Sequence, residues 1–136
     1  MKEKKVLVFL LSFIVFCSCA TDSRIVKQKL SILKPDYFSG DDDFTYVGHI
    51  VSGTKESFDV YFNEHLFGNG RMACRLIFFD AAKAPLGCYK VSDKPSIKGC
   101  SIFFPYKESD GNIIIVEEKI PEEVYLDGEK ILFEKF

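Results

Sequence analysis

Residues 57–80 read SFDVYFNEHLFGNGRMACRLIFFD. Two runs rich in Phe, Val, Ile, Leu and Tyr, 57–67 and 71–80, meet at Gly68-Asn69-Gly70, and that combination predicts an antiparallel β-hairpin. A two-residue Asn69-Gly70 turn would set Gly68 across from Arg71 and fix every pair behind it. One face would then hold Glu64 opposite Arg75, Phe62 opposite Ile77 and Val60 opposite Phe79. The other would hold Phe67 opposite Met72, His65 opposite Cys74, Asn63 opposite Leu76 and Tyr61 opposite Phe78. The opposite-charge pair and the facing aromatic residues favour this register. Large apolar side chains occupy both faces away from the turn, so one face is expected to meet the core and the other to be covered by another strand or a partner. Nearer the turn the composition becomes mixed, as in a protruding tip.

Outward from the hairpin the pattern repeats. FTYVGHIVS (44–52) precedes it, and LGCYKVS (86–92), IKGCSIFFPY (97–106), NIIIVEEKI (112–120), VYL (124–126) and EKILFEKF (129–136) follow, separated by Gly, Pro and Asp-Gly turn signals. These are eight expected strands with connections short enough for antiparallel neighbours, and there is no helical period of useful length. The fold class is all-β: a small antiparallel sandwich or closed barrel, either of which hides strand edges. No internal repeat or low-complexity segment interrupts it.

The N-terminus has another logic. MKEKK is basic, VLVFLLSFIVF is an apolar run of eleven residues, and CSCA follows directly. Those are the three regions of an export signal, and the run is well short of the roughly 20 residues that span a bilayer. The stretch Phe16-Cys17-Ser18-Cys19 resembles the lipobox of bacterial lipoproteins. That resemblance implies cleavage before Cys19, acylation of Cys19 and a membrane attachment through the N-terminal lipid. Ala20, not an acidic residue, follows Cys19, which by the same resemblance implies the outer membrane, periplasmic face, in a source with two membranes. The domain organisation expected is therefore a signal peptide over residues 1–18, a lipid-anchored tether over 19–43 and one β domain over 44–136. Residues 20–43, ATDSRIVKQKLSILKPDYFSGDDD, are expected to hold at most a short helical turn or an edge strand, with Lys34-Pro35 closing any helical period. Asp41, Asp42 and Asp43 read as a solvated charge run, since adjacent carboxylates lack the alternation of a calcium loop. A membrane-spanning barrel ending at Phe136 is disfavoured by short strands and a redundant anchor.

The chain of 136 residues carries 18 basic and 20 acidic side chains, a net charge of −2. Without residues 1–18 the count becomes 15 against 19, a net of −4. That balance gives no nucleic-acid footprint and no attraction for an anionic surface, which leaves the lipid as the only membrane attachment expected.

Export permits disulfides, and Cys74, Cys88 and Cys100 lie in the β domain. If the turn at residues 93–96 joins its flanking strands directly, Cys88 and Cys100 come nearly opposite one another, each preceded by Gly. A Cys88–Cys100 bridge is therefore expected, leaving Cys74 buried and inert. No Cys-x-x-Cys pair supports zinc, and no cofactor or metal is expected. His49 and His65 sit inside strand patterns and read as structural or surface imidazoles. The sharpest enzymatic arrangement is a Cys74 nucleophile with His65 opposite as its base, but nothing marks an oxyanion hole. Glu117-Glu118 and Glu122-Glu123 alternate across a strand and form no acid–base pair.

Two functions are compatible with this reading. The first is an interaction module, an envelope inhibitor, assembly factor or complex subunit, binding a protein partner through the hairpin tip: His65, Phe67, Asn69, Arg71 and Met72. The second is a small β-barrel carrying an apolar ligand among its Phe and Tyr side chains.

Overall fold

The computed structural model describes residues 23–39, 42–105 and 113–136. The described residues 23–39 belong to one compact unit and those from Asp42 onward to a second. Cys19 and the whole signal segment lie outside the described residues.

In the first unit, helix α1 runs over residues 23–33, three turns where at most one was expected. Val26 and Leu30, four residues apart on one side, are buried. The helix stops at Pro35, whose ring disfavours the helical conformation of the residue before it. The last turn closes with Lys34 N–H on the Leu30 carbonyl at 2.9 Å, and Tyr37 and Phe38 N–H on the Lys34 carbonyl at 3.0 and 2.9 Å.

The second unit is a small antiparallel β-sandwich. Its strands are β1 (Asp43–Val51), β2 (Ser57–Leu66), β3 (Met72–Phe79), β4 (Pro85–Val91), β5 (Ser96–Lys98), β6 (Ser101–Phe103), β7 (Ile113–Ile115), β8 (Glu123–Leu126), β9 (Glu129–Leu132) and β10 (Glu134–Lys135). They form a five-stranded sheet in the order β1-β2-β3-β4-β10, a three-stranded sheet β5-β6-β7 and a ribbon β8-β9. No sheet closes on itself, so the barrel alternative is corrected to a sandwich. Two expected strands are each divided. Gly99-Cys100 turns the chain between β5 and β6, with Gly99 at φ 64°, the first turn position where a tight hairpin takes glycine. Phe133 separates β9 from β10, its N–H held by the Glu122 carbonyl at 2.8 Å. The Asp127-Gly128 turn has both residues at positive φ (52° and 79°), the two-residue hairpin that its sequence specifies.

The core fills the space between the sheets. Phe58, Val60 and Phe62 of β2, Leu76 and Phe78 of β3, and Tyr89 and Val91 of β4 meet Ile102, Phe104, Ile114, Val116, Val124 and Leu126. At its centre Phe78, Tyr89 and Phe133 pack edge-on or tilted, with centroids 5.0–5.8 Å apart. Phe133 reaches them because Gly87 has no side chain: a Cβ there would lie 2.6 Å from the ring and 2.3 Å from the Glu134 carbonyl oxygen. That glycine lets the C-terminal strand cross from the ribbon to the large sheet, where Glu134 pairs with Cys88 and Lys135 with Gly87. Burial holds the Tyr89 phenol well above its ordinary ionisation range, and its hydroxyl donates to the Pro121 carbonyl.

The expected hairpin register is wrong by one residue. Leu66 pairs with Met72, Glu64 with Cys74, Asn63 with Arg75, Phe62 with Leu76, Tyr61 with Ile77 and Val60 with Phe78. A one-residue slip moves every side chain of a strand to the other face. The observed register gathers Val60, Phe62, Leu76 and Phe78 on the core face, and puts Tyr61, Asn63, Arg75, Ile77 and Phe79 on the opposite face. The disulfide fails for a similar reason. β4 pairs with β3 and β10, whereas β5 begins another sheet, so the turn at 93–96 does not bring Cys88 and Cys100 opposite one another. No disulfide joins Cys74, Cys88 and Cys100 to one another.

Candidate functional site

The tip of the β2–β3 hairpin is an exposed apolar feature of the second unit. Phe67 N–H donates to the Arg71 carbonyl at 2.7 Å, and Gly70 N–H to the Phe67 carbonyl at 3.0 Å. Gly68-Asn69-Gly70 is thus a three-residue loop, with Gly70 at φ 83°. Asn69 does not take the positive φ that a two-residue turn requires. Its side-chain oxygen accepts the Arg71 N–H at 3.1 Å, locking the loop from within. This local choice produces the one-residue change in register.

Three large side chains project from this loop and its flanks: Leu66 is 65% exposed, Met72 57% and Phe67 45%. Asn69 and Arg71 are exposed beside them. The Phe67 ring meets the His65 imidazole edge-on, with centroids 4.6 Å apart. The tip therefore combines an aromatic ring, two aliphatic chains and a guanidinium, a composition enriched at protein interfaces.

Beneath the tip is a polar root that sequence reading missed. Asp42 is buried, not solvated: its carboxylate accepts from His65 Nδ1 and, at 3.3 Å, from Asn63 Nδ2. Asn63 Nδ2 also reaches the Asp43 carbonyl at 3.3 Å, and Arg75 Nη1 donates to Asn63 Oδ1 at 3.4 Å. Asn63 and Arg75 are cross-strand partners, so the register itself brings them together. A buried carboxylate is tolerable only when hydrogen-bonded or paired, and His65 and Asn63 supply the hydrogen bonds. The network ties the segment entering β1 to β2 and β3 and orients His65, which in turn supports Phe67. No local signal separates Asp42 from its neighbours in the run at 41–43; only the fold does.

The proposed Cys74–His65 pair does not exist. Glu64, not His65, lies opposite Cys74, and His65 pairs with Ala73 on the other face. Burial raises the Cys74 thiol above its ordinary range, and the Glu64 and Asp93 carboxylates push the same way, so little thiolate is available as a nucleophile. His49 is a surface imidazole. Its Nδ1 and the Tyr46 hydroxyl both donate to Asp59 Oδ1 at 3.0 Å, with Lys83 4.0 Å from the other oxygen. Among the described residues no three His, Cys, Asp or Glu side chains converge on a metal-sized site.

A second feature lies elsewhere in the same unit. An open cleft of about 410 Å³ is lined by Phe58, Leu86, Ile120, Phe133 and Phe136, with Lys119 and Lys135 among its polar residues.

No known family model matches the chain, and no match is found among curated proteins or solved structures. Among the described residues no helix is long and apolar enough to cross a membrane.

Proposed function

We propose that this protein is a lipid-anchored cell-envelope lipoprotein that works as a protein-interaction module, an inhibitor, assembly factor or complex subunit, with the β2–β3 tip as its contact surface. Attachment is through acylated Cys19, on the periplasmic face of the outer membrane where the source has two membranes. The observation that carries the interaction reading is the exposure of Leu66, Phe67 and Met72 on a loop braced by its own hydrogen bonds. A rigid apolar tip loses little conformational entropy on binding, which is what an interface anchor requires. The buried Asp42 network beneath it holds that geometry.

The test is the double substitution Phe67→Ala with Arg71→Ala in the tagged protein, released gently from its own membranes and weighed by native mass spectrometry. The expected result is an acylated chain beginning at Cys19 with a protein partner bound in the unmodified form and lost in the variant, at unchanged melting temperature. A fall in melting temperature typical of a core truncation would place these residues in the core and refute the assignment.

The carrier reading loses its barrel but retains the cleft, whose size is within the range of small-molecule sites. Titration with an apolar dye tests it: absence of saturable binding eliminates this reading.

A further inference from the structure

α1 exposes a second side that packing does not use. Val26 and Leu30 are buried, but Ile25, Ile32 and Leu33 are exposed, Ile32 at 82%. Residues at i, i+7 and i+8 fall on one side of a helix, so these three aliphatic side chains form a single stripe. Lys29 lies within that stripe and is exposed, Arg24 is exposed on an adjoining side, Lys27 is half-buried on the opposite side, and Lys34 follows the last helical residue. From residue 23 to residue 35 there are four basic side chains and no acidic one. The contrast with the remainder is large: residues 41–136 hold 11 basic and 17 acidic side chains, a net of −6. The overall negative charge therefore conceals a cationic, apolar-faced helix that precedes an acidic domain in the chain.

We infer that the exposed side of α1 docks on an anionic phospholipid surface. The complementarity is that of the segment as a whole: its four basic side chains attract the headgroups, while Ile25, Ile32 and Leu33 enter the boundary between headgroups and acyl chains. Only three residues separate Cys19 from the first residue of α1. An anchored chain would thus deliver this helix to the surface at very high local concentration. A basic, apolar-faced helix beside an acyl anchor adds a further contact with the same surface. The acidic β domain is repelled by the same surface. The inference shares with the preceding reading only the membrane address, and the experiment separates the two.

The test uses the mature protein purified from its own membranes and placed in nanodiscs of phosphatidylcholine alone, or with roughly a third phosphatidylglycerol, each containing a photoactivatable phospholipid. Peptide mapping then reports lipid crosslinks over residues 23–34, and the intact mass of the same sample reports acylation. The expected result is roughly threefold more crosslinking with the anionic lipid, lost on raising the salt and lost in the Arg24→Gln, Lys27→Gln, Lys29→Gln, Lys34→Gln variant. The Ile32→Ser variant should also lose crosslinks while leaving the melting temperature unchanged, because that side chain is exposed. Equal crosslinking in both discs, or crosslinks from this face to a second copy of the chain, overturns the inference. An acylated chain with no crosslinks over residues 23–34 overturns it while leaving the anchor intact. An unacylated chain that still shows the lipid-dependent crosslinks supports it and rejects the anchor.

Discussion

Replacing Gly87 with Ala should destabilise the β domain severely, although it adds one methyl group. The new Cβ would meet the Glu134 carbonyl oxygen at 2.3 Å and the Phe133 ring at 2.6 and 2.8 Å, where ordinary contacts begin near 3.4 Å. Backbone cannot rotate away as a side chain can, so β10 must retreat by about an ångström. That movement weakens the pairing of Glu134 with Cys88 and Lys135 with Gly87, at about 1 kcal/mol per hydrogen bond lost. It also lifts Phe133 from Phe78 and Tyr89, two aromatic contacts each contributing about 0.5–1.5 kcal/mol. The sum is about 3 kcal/mol, at the upper end of ordinary overpacking costs. In urea unfolding this lowers the midpoint by about 1.5 M at an m-value near 2 kcal/mol/M. Gly68→Ala is the internal control: its Cβ would meet nothing within 4 Å, and its midpoint should shift little. Because the clash is shared with the Phe133 ring, the Gly87→Ala, Phe133→Ala double variant should lose less stability than the sum of the two singles. A Gly87→Ala midpoint within about 0.2 M of the unmodified protein would show that β10 does not lie across Gly87, and the route of the C-terminus would have to be redrawn.

Tyr89 predicts an alkaline limit. Its folded ionisation is raised by burial, so the stability that its neutral form contributes is complete below the ordinary value of 10.0 and is lost progressively as pH rises above it. Urea midpoints should hold to about pH 9.5 and then fall, and Tyr89→Phe should flatten that fall; an equal slope in both proteins would refute the assignment. Alkylation in urea without reductant should modify Cys74, Cys88 and Cys100 alike, whereas finding Cys74 alone modified would restore the Cys88–Cys100 bridge. In the folded protein at neutral pH, Cys74 should react slowly with iodoacetamide, because its thiol is raised by burial and by the nearby carboxylates; labelling as fast as a free thiol would contradict this. Asp42→Ala removes the acceptor of both His65 and Asn63 and should cost about 1–3 kcal/mol in urea unfolding while weakening partner capture, and a change below about 0.5 kcal/mol would mean the root does not brace the tip.

What was legible in the sequence follows from the range over which each signal acts. Strand runs and Asp-Gly turns are local, so the all-β class and the tight turn at Asp127-Gly128 could be read directly. The hairpin at residues 57–80 was equally visible, but its register depends on whether Asn69 takes a positive φ, and Asn tolerates either choice. Alternation could not arbitrate, because Tyr61, Ile77 and Phe79 make the second face almost as apolar as the first. The error therefore spread to every inference that required a particular face. It placed Cys74 beside His65, and it matched Arg75 with Glu64 in place of Asn63. The bridge between Cys88 and Cys100 failed separately, on an assumed hairpin where the chain changes sheets.

The tip survived that error for a physical reason. Its position depends on where the turn falls, and both registers put residues 66–72 at the end of the ribbon. Its exposure depends on how far the ribbon extends beyond the core, which the apolar residues 58–62 and 76–79 determine. Which side of the ribbon carries the polar root is register-dependent, so Asp42, Asn63 and Arg75 remained invisible until the strands were paired. The root also explains why a tip with Leu66, Phe67 and Met72 exposed can hold its shape: Asp42 fixes His65 from below, His65 meets the Phe67 ring edge-on, and the Asn69 side chain closes the loop onto Arg71. His65 and Phe67, two apart on one strand, share a side in either register, and Asp42 reaches His65 from the segment entering β1; the Asn63–Arg75 pairing and the Asn69–Arg71 closure are what the observed register and its three-residue loop supply. The three-residue loop that shifts the register is therefore also what closes the tip onto Arg71 and sets Arg75 against Asn63 beneath it.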